Sequence, residues 1–165
     1  MIGYLANWVE ILDNTWHMDI YLDTSVVSAL FDGRNPERKA ITEDFFRSIE
    51  NHSVHVSELT LAEIENTSDA TLRNQMQEKV KSLIVLPLAD DVESLSNKYV
   101  EHGAISANYA EDTYHIAISV INHIPILLSW NFRHIVRRKT KDIVNLVNTM
   151  SGYPHLEIIT PGEFL

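Results

Sequence analysis

Five short apolar runs punctuate this chain, and stretches with helical spacing separate them. The runs are 19–22, Val54-His55-Val56, Ile84-Val85-Leu86, Ile126-Leu127-Leu128 and Leu156 to Ile159. Each is short, apolar and bounded by turn signals, as a buried strand is. Between them, Asp23-Thr24-Ser25 turns into a helix carrying Val26, Val27, Ala29 and Leu30. Asp32-Gly33-Arg34-Asn35-Pro36 is a break, with Pro36 suited to the first turn of a helix that runs to about Glu50. Ile41, Phe45 and Ile49 line one face of that helix. Further helices are expected near 60–67 and 70–82, and from Asp90 to His102, closing at Gly103. A helix over Ser106–His123 would turn Ala107, Ala110, Tyr114, Ala117, Ile118 and Ile121 inward, and the last helix would do the same with Ile143, Val147 and Met150. Strands alternating with helices predict an α/β fold: one domain with a central parallel sheet of about five strands, flanked by helices on both faces. Sites in such sheets form beyond the carboxyl ends of the strands, where Asp23 and Asn131 fall.

Three acids far apart in the sequence stand at the edges of these elements. Asp23 follows Ile20-Tyr21-Leu22, Glu63 lies in Ser57-Glu58-Leu59-Thr60-Leu61-Ala62-Glu63-Ile64, and Asp112 precedes Thr113-Tyr114-His115-Ile116. Carboxylates gathered at one sheet edge repel one another and desolvate poorly, so a hard cation is their natural compensation. A carboxylate group holding Mg²⁺ or Mn²⁺ is apparatus for phosphoryl-ester chemistry. Each acid also has a structural reading. Asp23 can cap the following helix, Thr60 to Glu63 matches a capping box, and Asp112 can serve the dipole of a first turn.

Composition narrows the function. No cysteine is present, which removes disulfides, thiolate nucleophiles and Cys-based zinc sites and fits a reducing cytoplasm. Five scattered glycines exclude a phosphate loop or dinucleotide fingerprint, and no Gly-x-Ser-x-Gly elbow occurs. His52 and His55, on opposite sides of an odd spacing, do not form a ligand pair. No apolar stretch reaches the roughly 20 residues a membrane helix needs, and the first residues lack the pattern of a secretory signal. A net charge of −10 opposes broad nucleic-acid affinity but leaves room for local basic contacts. Arg133, Arg137, Arg138, Lys139 and Lys141 cluster as either a solvated helix face or a phosphate-contacting edge.

The order of these motifs resembles the PIN-domain family, and more narrowly its VapC-type ribonuclease toxins. The matching pieces are Ile20 to Val26, Val56 to Ile64, Ala110 to Ala117, Ile126-Leu127-Leu128-Ser129-Trp130-Asn131-Phe132 and Ile159 to Leu165. The resemblance implies an RNA-cleaving domain over 19–165, dependent on Mg²⁺ or Mn²⁺, with Asp23, Glu63 and Asp112 as metal ligands. Asn131 stands where the family often has an aspartate, and is read as a polar ligand or water-orienting catalytic group. Ser25 and Ser129 are expected as polar donors behind the acids. His115 is expected either to touch substrate or to be a structural histidine; Arg133 and His134 are candidate substrate contacts. The resemblance further implies an RNA substrate, a small antitoxin protein covering the acids, cytoplasmic localisation and, as is common among similar toxins, a homodimer. A noncatalytic PIN-like module that binds RNA or protein is the alternative.

Residues 1–18 fit the alternation poorly. Ile2, Leu5, Val9 and Leu12 have helical spacing, which suggests a packing helix or oligomer contact, whereas Met18 directly before the first strand suggests a natural start there.

Overall fold

A computed structural model describes residues 17–165, so the readings made for the leader lie outside the described residues. The strands are β1 (Asp19–Leu22), β2 (Ser53–Ser57), β3 (Ile84–Leu86), β4 (Ile126–Leu128) and β5 (Glu157–Ile159). They form one sheet in the order β3-β2-β1-β4-β5, and every pair is parallel. The helices are α1 (Thr24–Ala29), α2 (Pro36–Ser48), α3 (Glu58–Glu65), α4 (Ala70–Val80), α5 (Asp91–Glu101), α6 (Glu111–Ile121), α7 (Arg138–Ser151) and α8 (Pro161–Phe164). None of the described helices is long and apolar enough to cross a membrane.

Alternation along the strands divides the core in two. Ile20, Leu22, Val54, Val56, Ile126 and Leu128 face one side, where they meet Val26, Val27, Phe45, Met76 and Val80. Tyr21, Leu127 and Ile158 face the other, among Leu95, Tyr99, Ile116, Val144 and Val147. Strands covered on both faces read as continuous apolar runs, as β1 and β4 do, whereas the edge strand β3 leaves Ile84 and Val85 exposed although its sequence also reads as a buried run. Strand order reverses between β1 and β4, so the crevice of a doubly wound sheet opens beyond Leu22 and Leu128. The Asp23 backbone N–H, donated to the Leu128 carbonyl at 3.2 Å, closes the sheet immediately beneath it.

Three local expectations are corrected. Ser57, not Thr60, caps α3: the hydroxyls of Ser57 and Thr60 each accept the other's backbone N–H, and Glu63 is left out of the box. The end of β2 at Ser57 decides this, because the chain leaves the strand extended at that residue. Ala107 is exposed, because residues Ala107–Tyr109 form a separate 3-10 turn and α6 begins only at Glu111. Met150 is 66% exposed, since α7 buries Thr140, Val144, Val147 and Asn148 and Met150 stands about 240° round the helix from Val144.

Candidate active site

Asp23 sits at the mouth of the crevice, held from three sides. Its Oδ1 accepts from the Ser25 hydroxyl at 2.5 Å and the Val26 N–H at 3.3 Å, and Oδ2 accepts from the Ser129 hydroxyl at 2.6 Å. Asp23 thus caps α1, and a carboxylate has lone pairs enough to meet a further partner as well. The residue is only 3% exposed, and burial pushes its carboxyl above the ordinary range against the pull of His115, Ser129, Ser25 and Val26.

From Ser129 the hydrogen bonds continue across the crevice. The Asn131 N–H is donated to the Ser129 oxygen at 2.9 Å, and Asn131 Nδ2 is donated to Asp112 Oδ1 at 3.1 Å. The amide oxygen of Asn131 accepts the His134 N–H at 3.0 Å, which fixes the orientation: oxygen on the turn, nitrogen on the acid. Asn131 thus meets Asp112 as a donor. Asp112 lies in the first turn of α6, as its dipole favours. Burial raises its carboxyl and the nearby Glu63 adds to this, while His134, Asn131 and His115 oppose it.

Glu63 projects from α3 and pairs with His115. The His115 Nε2 lies 3.1 Å from Glu63 Oε2, and Nδ1 lies 2.7 Å from the Tyr21 hydroxyl, itself 2.8 Å from the Ser57 hydroxyl. Thr24 also donates its hydroxyl to Glu63 Oε2. Burial works against charge on His115, but the Tyr21 oxygen, Glu63 and Asp23 outweigh it and raise the imidazole. Burial likewise pushes Glu63 up, yet the bond and charge of His115 and the Thr24 hydroxyl leave it lowered. His115 is buried with both ring nitrogens engaged, one by Glu63 and one by the Tyr21 hydroxyl.

Asp23, Glu63 and Asp112 present carboxyl oxygens, the hard donors that a hard divalent cation takes. The group is open: among the described residues no three His, Asp or Glu side chains close into an ion-holding cage. The acids and not cavity volume mark this place, since a depression of about 580 Å³ lies elsewhere, lined by Asp32, Arg34, Asp69 and Gln75.

Beside Asp112, the His134 ring stacks on Tyr109 with centroids 4.1 Å apart, and Arg133 Nη2 reaches the Tyr109 hydroxyl at 3.3 Å. Sequence reasoning missed Tyr21, Thr24, Ser57 and Tyr109. Of these only Tyr21 carried a signal, because a residue two before Asp23 on a strand shares its face. His52 and His55 are structural: His52 Nδ1 accepts the Met18 N–H at 3.3 Å, and His55 Nε2 lies 3.0 Å from Asp19.

The PIN domain model matches residues 20–137. No curated protein matches the chain. Among solved structures it is similar to VapBC2 from Rickettsia felis bound to a DNA fragment from their promoter. That likeness has 11% identity, 86% of this chain and 97% of that one covered, and a TM-score of 0.55. It is also similar to Mycobacterium tuberculosis VapC20, a sarcin–ricin loop cleaving toxin, at 15% identity, with 84% and 98% covered and a TM-score of 0.57. At such identities the likeness is one of fold.

Proposed function

The chain belongs to the PIN domain family, and on that premise we propose that it is a metal-dependent endoribonuclease, the toxin of a toxin–antitoxin pair. The observation that carries this reading is the unbroken path Asp23–Ser129–Asn131–Asp112 across the switch point, with Glu63 held beside it by the hydroxyl of Thr24, the residue after Asp23. The fold shared with VapC20 and VapBC2 supports the toxin assignment and the small antitoxin partner. On this reading the domain spans 19–165, residues 1–18 are an extension, the protein acts in the cytoplasm, and a homodimer is its expected assembly.

Asp23, Glu63 and Asp112 would hold Mg²⁺ or Mn²⁺, which when bound supplies Lewis-acid polarisation of the scissile phosphate and a water of lowered pKa. The chain's own residues prepare that place. His115 keeps Glu63 ionised and fixes its direction. Ser25 and Ser129 each hold one oxygen of Asp23. Asn131 orients Asp112 from the other side, His134 stands beside that acid, and Arg133, over the Tyr109 ring on which His134 stacks, is the phosphate contact of this reading.

Asn131 in place of an acid, together with the open carboxylate group, favours the second reading, a noncatalytic module that binds RNA or protein. Mn²⁺ titration and incubation with a mixed RNA pool separate the two. The nuclease binds Mn²⁺ in competition with Mg²⁺ and cleaves the pool; Asp23→Asn and Asp112→Asn abolish cleavage with the fold intact. Absence of cleavage by the wild type under both metals, or unchanged cleavage in both variants, discards the nuclease assignment.

A further inference from the structure

Phe132 is a large ring left in water one residue beyond Asn131. It is 58% exposed, although burying an aromatic side chain is worth about 2–3 kcal/mol. Its position is set firmly. The Asn131 carbonyl accepts the N–H groups of both Ile135 and Val136, at 3.0 and 2.9 Å, so Phe132 rides on a tight turn. Trp130 lies 6.0 Å away at 54°, and is itself pinned by its indole N–H to the Thr42 hydroxyl and its backbone N–H to Ser25. Ser25 is the residue that holds Asp23, and Asn131 the one that holds Asp112. The exposed ring therefore sits beside two residues, Trp130 and Asn131, that are hydrogen-bonded into the group around Asp23 and Asp112.

Positive charge stands next to it. The Arg133 guanidinium lies over the Tyr109 ring, 5.3 Å from its centroid, and makes no ion pair among the described residues. Arg137 turns toward the Arg133 carbonyl and is likewise unpaired with any described carboxylate. In a chain of net charge −10, two guanidiniums without an acid beside an exposed aromatic ring complement an anion that carries flat rings. Tyr109 is already engaged by His134 and Arg133, whereas Phe132 is open for stacking.

We propose that Phe132 is the stacking platform for one unpaired RNA base beside the acids, with Arg133 meeting the adjoining phosphate. This rests on the ribonuclease reading and adds to it a contact for one base. A base inside a duplex has both faces covered by its neighbours, and A-form grooves do not present it to a protruding ring. An unpaired base offers a free face, and such stacking is tolerant of sequence. The platform selects strandedness at the reacting phosphate while leaving base identity to other contacts.

The test is binding of the full-length chain to an RNA strand carrying 2-aminopurine, alone and annealed to its complement. Ca²⁺ replaces Mg²⁺ to balance the acids, and gels verify that the strand stays intact. The wild type should quench the fluorophore and bind the single strand at least tenfold more tightly than the duplex. Phe132→Ala should weaken single-strand binding by roughly tenfold to a hundredfold, and Phe132→Tyr should restore it. Arg133→Ala should lower the salt dependence by roughly one phosphate contact. Equal binding of duplex and single strand overturns the proposal, as does Phe132→Ala binding like wild type. Loss of a co-purifying protein by Phe132→Ala with RNA binding unchanged also overturns it, and marks the ring as a protein contact. A wild type that cleaves RNA while Phe132→Ala binds normally sinks only the platform; a wild type that neither binds nor cleaves RNA sinks the ribonuclease reading with it.

Discussion

His115 on α6 and Glu63 on α3 meet at 3.1 Å, joining two helices that no strand pairing connects. The pair is asymmetric: His115 is buried, while about a third of Glu63 remains open toward the crevice. His115→Ala would leave Glu63 without its cation and the Tyr21 hydroxyl without its ring partner. Breaking a buried pair costs about 3–5 kcal/mol; with Glu63 partly solvated, about 2–3 kcal/mol is expected in urea unfolding. Metal affinity and cleavage should fall as well. Tyr21→Phe removes the hydroxyl's contacts with His115 and Ser57 but leaves the His115–Glu63 pair, and should cost about 1–2 kcal/mol. It should weaken cleavage less than His115→Ala does. A His115→Ala variant as active as wild type would remove the positioning role.

Asp23 separates activity from stability. Its carboxylate is buried among groups that only partly offset the loss of water, so the ionised form is costly without a cation. Asp23→Asn keeps an oxygen for Ser25 and Val26 and presents an amide to Ser129, while deleting the charge. In EDTA its Tm should equal or exceed that of wild type. Adding Mg²⁺ should raise the wild-type Tm and leave the variant unmoved. Cleavage should be lost, a fall of at least about a thousandfold and so of about 4 kcal/mol or more of transition-state stabilisation. A variant that is both inactive and unfolded would show Asp23 to be structural.

How far this was legible in sequence depended on which interactions are local. Strand runs with apolar residues on both faces mark a covered parallel sheet, and that pattern located Asp23 beyond β1 and Asn131 beyond β4 without tertiary information. Glu63 was ambiguous because Thr60 to Glu63 has the spacing of a capping box, and only the exit of the chain from β2 at Ser57 decides which hydroxyl caps. The partners of His115 lie on β1 and α3, far away in sequence, so nothing local distinguishes it from a core histidine. Met150 misled because three residues at helical spacing fix a stripe only to within its width, and packing of α7 chose the neighbouring one.

Acid should act on a different part of the molecule. The Arg34 side chain and backbone N–H, with Arg38, hold the Asp32 carboxyl down to about 2. A lowered carboxyl contributes stability that is fully present above its unfolded value of 3.8 and is lost as pH falls toward 2. Asp32→Asn should therefore be less stable than wild type at pH 6, and the difference should shrink below pH 4 and vanish near pH 2. Thermal melts of both proteins across that range check this. A difference that grows on acidification would contradict the sign.

Gly152 offers a control that is remote from the chemistry. It ends α7 in the left-handed region at φ 78°, ψ 19°, with its N–H donated back to the helix. A Cβ added there would meet nothing within 4 Å, so crowding is absent and only the backbone preference matters. For an L-residue that preference costs about 1–2 kcal/mol, less for Asn, which tolerates the conformation better. Gly152→Ala should thus lower the unfolding free energy by about 1 kcal/mol, and Gly152→Asn by less. Both should cleave RNA at the wild-type rate, because neither the acids nor the Trp130–His134 turn touches this residue. Urea melts with single-turnover cleavage on the same preparations decide it. An activity loss in Gly152→Ala at unchanged stability would mean that the end of α7 communicates with the acids by a route the hydrogen bonds do not trace.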